Sequence, residues 1–375
     1  MKATLNNIYI NRIILVGNGF DLAHGLKTRY EDFINWYLDQ LRTNLYHCDS
    51  IEYDDGLCKL TLDTRLNECR SWRCIINMHK RNIWSIKGND LFEYLQKNVR
   101  AAICKSRLLE CILKSISSKG WVDIENDYYE LLKDCVDLNN HVVADLQKQL
   151  GCLQEKLTEY LLCVKQTATS KINTRLREII NEPVQAQDIS QNAKNQFIRK
   201  EDEDLICFLL EESLILDFNY TKTSDLYHNS VIHIHGELDK PKSIIFGYGD
   251  ELDENYKKLS NLNDNQYLTN MKSIRYLENG NYRDMLRFIN AAPYQIYIMG
   301  HSCGNSDRTL LNTLFEHKNC ISVKIFYYQK DDEHDNFSEI TQNMSRNFTD
   351  MQSFRDKVVN KTLCEPMPQI QNYAL

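Results

Sequence analysis

Four short stretches of this 375-residue chain carry side chains able to hold a ligand or move a proton, three of them together with glycine. They are Gly17-Asn18-Gly19-Phe20-Asp21, Asn219-Tyr220-Thr221, His233-Ile234-His235-Gly236 and Gly300-His301-Ser302-Cys303-Gly304. In the first, Gly17 and Gly19 would let a ligand approach the backbone, and Asn18 and Asp21 can donate and accept hydrogen bonds. It does not fit the dinucleotide fingerprint. Leu22 stands where a small residue is required, and no acid closes a second strand about 20 residues on. A plain strand-to-helix turn is the alternative. In the third stretch His233 and His235 alternate, so on a strand they share a face. They could bind metal with His301 or Asp250, one of them could be structural, or His235 could be a general base. A neutral imidazole titrates near neutrality, as a general base requires. Asn219 can orient a water or hold a ribose hydroxyl; it can equally cap a helix over 222–227. The N–H groups of 300–304, with Ser302, can bind a phosphate, or form a turn capped by Asn305 or Ser306. Cys303 has no basic neighbour besides His301 to make it a thiolate, and the absence of GxSxG argues against Ser-His-Asp chemistry.

Positioning these stretches falls to the elements around them. The continuous apolar run 13–16, ending at Gly17, predicts a buried parallel strand. Thr28 and Glu31 form a capping box ahead of Tyr30, Phe33, Ile34, Tyr37, Leu38 and Leu41 at helical spacing. From 44 to 212 the chain reads as mostly helical. Trp121, Ile124, Tyr128, Leu131, Leu132 and Cys135 make one apolar face. Leu146, Leu150, Leu153, Leu157, Leu161 and Val164 form a seam suited to a homo-oligomer or an internal helical hairpin. Residues 191–204 read as a polar loop or frayed helix. Beyond 212, strands are expected at 214–218, 231–236, 243–247, 294–300 and 321–328, with a helix over 307–317. This alternation predicts an α/β fold, a mostly parallel sheet flanked by helices. The sheet domain would comprise 1–44 and 213–375, and 45–212 would be a large helical insertion. The C-terminal strand edges of such a sheet line one crevice, where all four stretches can meet.

Bulk properties narrow the function classes. The net charge of −7 gives no general field for nucleic acid. Thirteen scattered cysteines without a CxxC pair read as reduced, mostly core thiols of a cytoplasmic protein. The first residues lack a secretory h-region, and no apolar run approaches the ~20 residues of a membrane helix.

VGNGFDLAHGLKTRYEDF, WVDIE, FNYT, IHIHGEL with IIFGYGD, and MGHSCGNSD occur in this order. Together, from Ile13 to about Tyr328, they resemble the AbiH family of bacteriophage abortive-infection proteins. The family is similar in turn to the sirtuin-like, Rossmann-type NAD-binding fold. The resemblance implies antiphage defence, set off by a phage-encoded trigger, with NAD or a related nucleotide as ligand or substrate and no metal. Gly17 and Gly19 match the sirtuin glycine loop, Asn219 the ribose-holding Asn, His235 the general base, and Gly300 and Ser302 the late Gly-x-Ser. Asn18 replaces a small residue, FNYT replaces a QNID-like sequence, and the zinc-binding cysteine quartet is missing, which argues against protein deacetylation. The implied site places the nucleotide against Gly17, Asn18, Gly19, Phe20, Thr221, Gly300 and Ser302. His235, Asn219 and Asp21 would then cleave the nicotinamide–ribose bond. Glu125 is a candidate second carboxylate or a helix-surface charge. Two other readings stay open: a non-catalytic nucleotide sensor whose helical part binds a protein, and a metal-dependent nuclease using His233, His235 and an acid.

Overall fold

A computed structural model of the chain describes residues 6–63, 69–86, 88–119, 122–136, 138, 140–167, 171–197 and 206–370. These contain eight strands: β1 (Asn6–Val16), β2 (Glu52–Asp54), β3 (Cys58–Leu62), β4 (Ala101–Lys105), β5 (Ile206–Asp217), β6 (Val231–His233), β7 (Tyr294–Met299) and β8 (Cys320–Phe326). The chain divides into two compact units. One comprises Met1–Lys27, Val164–Lys257 and Met271–Leu375; the other comprises Thr28–Cys163 and Lys258–Asn270. This division differs from the expected one at 44/45 and 212/213. The helix Tyr30–His47 belongs to the second unit, and the chain rejoins the first at Val164.

The first unit is built on a five-stranded sheet in the order β6-β5-β1-β7-β8, with every neighbouring pair parallel. Numbered by order along the chain, that is 3-2-1-4-5, compatible with a Rossmann-type sheet. β1 lies at its centre, which explains the apolar run. Ile13 and Leu15 face Leu216, Ile296, Ile298 and Val323 on one side. Ile14 and Val16 face Ile179, Ile215, Tyr297 and Met299 on the other. All four β1 side chains are fully buried, each contributing roughly 1.5–3 kcal/mol. Helices Asn281–Ala291, Arg308–Glu316 and Phe337–Asn347 cover the first face through Met285, Ile289, Leu310, Leu314, Ile340 and Met344. Asn18–Ala23 and Thr174–Ile180 cover the second through Phe20, Leu176 and Ile179.

Four expected elements of this unit differ: β1 and β5 begin earlier than expected, at Asn6 and Ile206, the latter inside the stretch read as helical, and the two after β5 change character. β6 ends at His233, and Ile234 and His235 lie in a turn. Residues 243–247 form no strand, since Pro241–Ser243 is a 3-10 turn. Gly236, at φ +88°, packs so closely on Ser243 that a Cβ there would lie 2.2 Å from its carbonyl oxygen. The run that follows makes one backbone bond to the turn, Ile245 N–H to the His235 carbonyl, rather than a ladder.

The second unit is mainly helical but also holds an antiparallel sheet, β2-β3-β4, which the sequence reading missed. Its helix Tyr30–His47 is N-capped by extended Arg29 without a side-chain bond, so Thr28 is not the cap. The expected seam lies on the helix Asn140–Thr167, where Leu146, Leu150, Leu153, Leu157, Leu161 and Val164 are buried. Tyr128 and Leu132 are buried on the helix Ile124–Asp134, whereas Trp121 lies outside the described residues. The expected loop at 191–204 begins with the helix Gln191–Phe197, and residues 198–204 lie outside the described residues. The cysteines also differ from expectation. Cys69 and Cys74 form a disulfide, with Cα atoms 5.7 Å apart, within the normal bridging range. Among the other eleven, only Cys58, Cys135, Cys303 and Cys320 are buried. No helix among the described residues is long and apolar enough to cross a membrane.

Candidate functional site

The sheet order reverses between β1 and β7, and ligands of such sheets bind beyond the C-terminal strand ends at that reversal. The Gly17 and Gly300 loops leave the sheet there and cross closely. Gly17 N–H donates to the Met299 carbonyl at 3.3 Å, and Gly19 N–H to the Gly300 carbonyl at 2.8 Å. A Cβ at Gly300, where φ is +75°, would lie 2.1 Å from the Phe20 nitrogen. A Cβ at Gly17 would meet the His301 Cα at 2.7 Å, and one at Gly19 the Gly300 Cα at 2.7 Å. The three glycines are therefore required for backbone to pass backbone. β5 joins the same edge, because Asn219 Nδ2 donates to the Gly17 carbonyl at 3.0 Å. The turn after β6 joins through Phe218, whose ring lies 5.2 Å from His235 and 4.2 Å from His301. All four stretches thus meet at one sheet edge.

Individual side chains are placed less uniformly. Asn18 and Ser302 are exposed. Phe20 is fully buried in the core against His24 and Tyr227. The Thr221 hydroxyl donates to Asp21 Oδ2 at 2.6 Å. Cys303 is buried, and burial pushes its thiol upward, against a thiolate role.

The titratable groups fall into two separate hydrogen-bonded sets. The first contains Asp21 and Asp217, both buried. Burial raises Asp21 to about 6, opposed by hydrogen bonds from Thr221 and Thr223. Its Oδ1 has no hydrogen-bond partner. Burial, aided by the charge of Asp21, raises Asp217 well above the usual carboxylate range. Asp217 accepts from Ser224 Oγ at 2.5 Å and from Asn219 N–H at 2.8 Å. His233 sits beside this pair, with Nε2 2.9 Å from Asp225 and Nδ1 3.7 Å from Asp217.

The second set centres on Asp307. Its Oδ1 lies 2.8 Å from Lys272 Nζ and 3.1 Å from His235 Nε2, and its Oδ2 lies 3.6 Å from His301 Nε2. His235 Nε2 is also 3.1 Å from the Tyr276 hydroxyl. Lys272, Tyr276, His235, His301 and Asp307 are all buried. Burial would raise the Asp307 carboxyl, but Lys272 and His235 hold it well below its usual value. Burial, followed by the Lys272 charge, lowers His235, which keeps the imidazole neutral.

The expectation that His233 and His235 share a face is therefore corrected. Strand periodicity stops at His233, and each histidine turns to a different set. The other suggested metal ligands are engaged elsewhere: Asp250 pairs with Arg308 at 3.1 Å, and His301 faces Asp307. Asn219 caps no helix over 222–227, where only a 3-10 turn, Ser224–Leu226, forms. Asp21 and His235 occupy different sets. Sequence reasoning missed Asp307, Lys272 and Tyr276. Asp307 read as the start of a helix, and Lys272 carries no periodic signal. Glu125, in the second unit, is buried rather than a surface charge. That unit also holds a cavity of about 680 Å³, lined by residues including Lys59, Lys105, Arg107, His141 and Gln149; none of the strand-end residues line it.

A comparison with curated proteins finds no match. The family model described as bacteriophage abortive infection AbiH matches residues 13–329, a span that takes in the end of β1, all four strand-end stretches and the whole second unit. The chain belongs to the AbiH family of abortive-infection antiphage proteins.

Proposed function

We propose that the chain binds NAD or a related nucleotide at a sirtuin-like site and cleaves its nicotinamide–ribose bond, depleting the nucleotide in an infected cell. The observation that carries this reading is the buried His235–Asp307 pair, at 3.1 Å, beside two crossing glycine loops at the sheet's order reversal. Nicotinamide departs from a cation and is a good leaving group. The protein therefore has mainly to position the sugar and a nucleophile. A neutral His235 can take the proton of a water or a ribose hydroxyl. Asn219, tied to the Gly17 carbonyl, would orient that water. Asp21 lies in the other set, hydrogen-bonded to Thr221. Its part would be to brace the β1 and β5 loops and place negative charge near the developing cation. The protein would work in the cytoplasm, where a phage component is the expected trigger.

The test is incubation of pure protein and phage lysate with NAD while nicotinamide is followed. Release by wild type and its loss in His235→Ala are expected. No release by either variant means that hydrolysis is the wrong chemistry. A second reading is nucleotide sensing without turnover. Saturable binding of NAD by a protein that never releases nicotinamide would select it.

A further inference from the structure

Lys272 is fully buried, an expensive place for an ammonium group. Its partner Asp307 is 35 residues away in sequence and is shared with two histidines. We propose that Lys272 is a positioning residue: by keeping Asp307 an anion, it fixes the His235 proton on Nε2 and leaves Nδ1 as the basic atom.

A carboxyl at this depth would favour its neutral form; the ammonium at 2.8 Å reverses that preference. An ionised carboxylate only accepts hydrogen bonds, so a ring nitrogen 3.1 Å from it must bring the proton. His235 is then the Nε2–H tautomer, with its lone pair on Nδ1. His301 follows the same logic. Its Nδ1 accepts the Cys303 N–H at 3.0 Å, so its proton is on Nε2, facing Asp307. The Tyr276 hydroxyl can donate or accept, and it rotates to suit the tautomer chosen by Asp307. The ionisable groups facing the carboxylate and the ring are thus Lys272, Tyr276, His301 and Cys303. The ring's other neighbours are Phe218 and a fifth ionisable group, Tyr220, whose hydroxyl donates to the Ile245 carbonyl at 3.2 Å.

Without the Lys272 charge, Asp307 would take a proton from solvent and donate it as O–H to His235 Nε2. The ring proton would move to Nδ1, the ring would stay neutral, and the net change would be one proton gained by the carboxyl. The base would be lost with almost no movement of heavy atoms. The use of Nδ1 in catalysis rests on the proposed nucleotide cleavage; the tautomer does not.

The full chain, labelled with ¹⁵N-histidine, reads the tautomer through long-range ¹H–¹⁵N correlations at neutral pH, with His235→Ala assigning the signal. Wild type, Lys272→Arg and Tyr276→Phe are expected to carry the proton on Nε2. Lys272→Met is expected to carry it on Nδ1 and to lose nicotinamide release by about 100-fold or more. Should that variant unfold, Lys272→Gln, which removes the charge but keeps a donor, gives the same reading. An Nδ1–H ring in wild type, or an Nε2–H ring in a folded charge-free variant, overturns the proposal. If the tautomers behave as stated while wild type releases no nicotinamide, the role of Lys272 stands and the nucleotide-cleavage reading alone fails.

Discussion

Asp21 shows how burial and charge compete at a single residue. Its carboxyl is fully enclosed, one oxygen has no partner, and its pKa rises to about 6. A folded value above the unfolded one means that the native state holds the proton more tightly. The stability this gives is intact below pH ~4 and declines as pH rises through about 6. Over two pH units the linkage amounts to about 3 kcal/mol. Asp21→Asn can still accept from Thr221 but never ionises. The variant is expected to be more stable than wild type at pH 7–8 by up to about 3 kcal/mol, with the gap closing toward pH 4. Urea melts across that range check this, and a gap independent of pH would refute it. The short sequence interval from Gly17 to Asp21 gave no warning of this burial. Burial depends on distant chain: Thr221, 200 residues away, hydrogen-bonds the carboxyl, and Asp217 lies near enough to feel its charge.

At the level of elements, the crossing of the Gly17 and Gly300 loops is the most constrained feature. Neither loop has room for a side chain where they touch. Gly300→Ala combines a left-handed backbone angle, costing an Ala roughly 1–2 kcal/mol, with a 2.1 Å approach to a backbone nitrogen that cannot move aside. A loss above about 3 kcal/mol is expected. Chemical denaturation of the purified variant would measure it, and near-wild-type stability would show that the loops separate freely. Elements marked by apolar stretches were legible in sequence: the run 13–16 lies at the end of β1, which begins earlier, and β7 and β8 formed close to the expected 294–300 and 321–328. β6 was over-extended because the alternating His-Ile-His pattern continues past the last paired residue. β2 to β4 were missed because they span only three to five residues each. A signal was present in β3, where Cys58, Leu60 and Leu62 are buried and Lys59 between them is exposed.

For the whole molecule, family membership supplies the biology and the first unit supplies a testable site. Cells expressing the chain are expected to restrict phage at the cost of the infected cells. His235→Ala at equal protein level is expected to lose that restriction, giving plaque counts like those of cells without the gene. Plaque assays paired with immunoblots measure this; a fully protective His235→Ala would move the active centre away from the Asp307 set. The order of parallel strands could not be read from the sequence, since apolar runs mark burial but not neighbours. Nor could the unit boundaries, because the helix Tyr30–His47 follows the glycine loop closely yet packs into the second unit.

The sequence by itself determined the α/β class, the strand–glycine–helix start, the four polar strand-end stretches and the family. Each rests on local order: apolar runs, glycine positions and motif succession. Tertiary structure alone decided that His233 and His235 part company, that Asp21 and His235 belong to different hydrogen-bonded sets, and that Lys272 and Asp307 stand behind His235. The physical reason is that periodicity records which face a residue presents within one element. A buried ion pair between distant loops depends on where those loops arrive after the sheet has assembled.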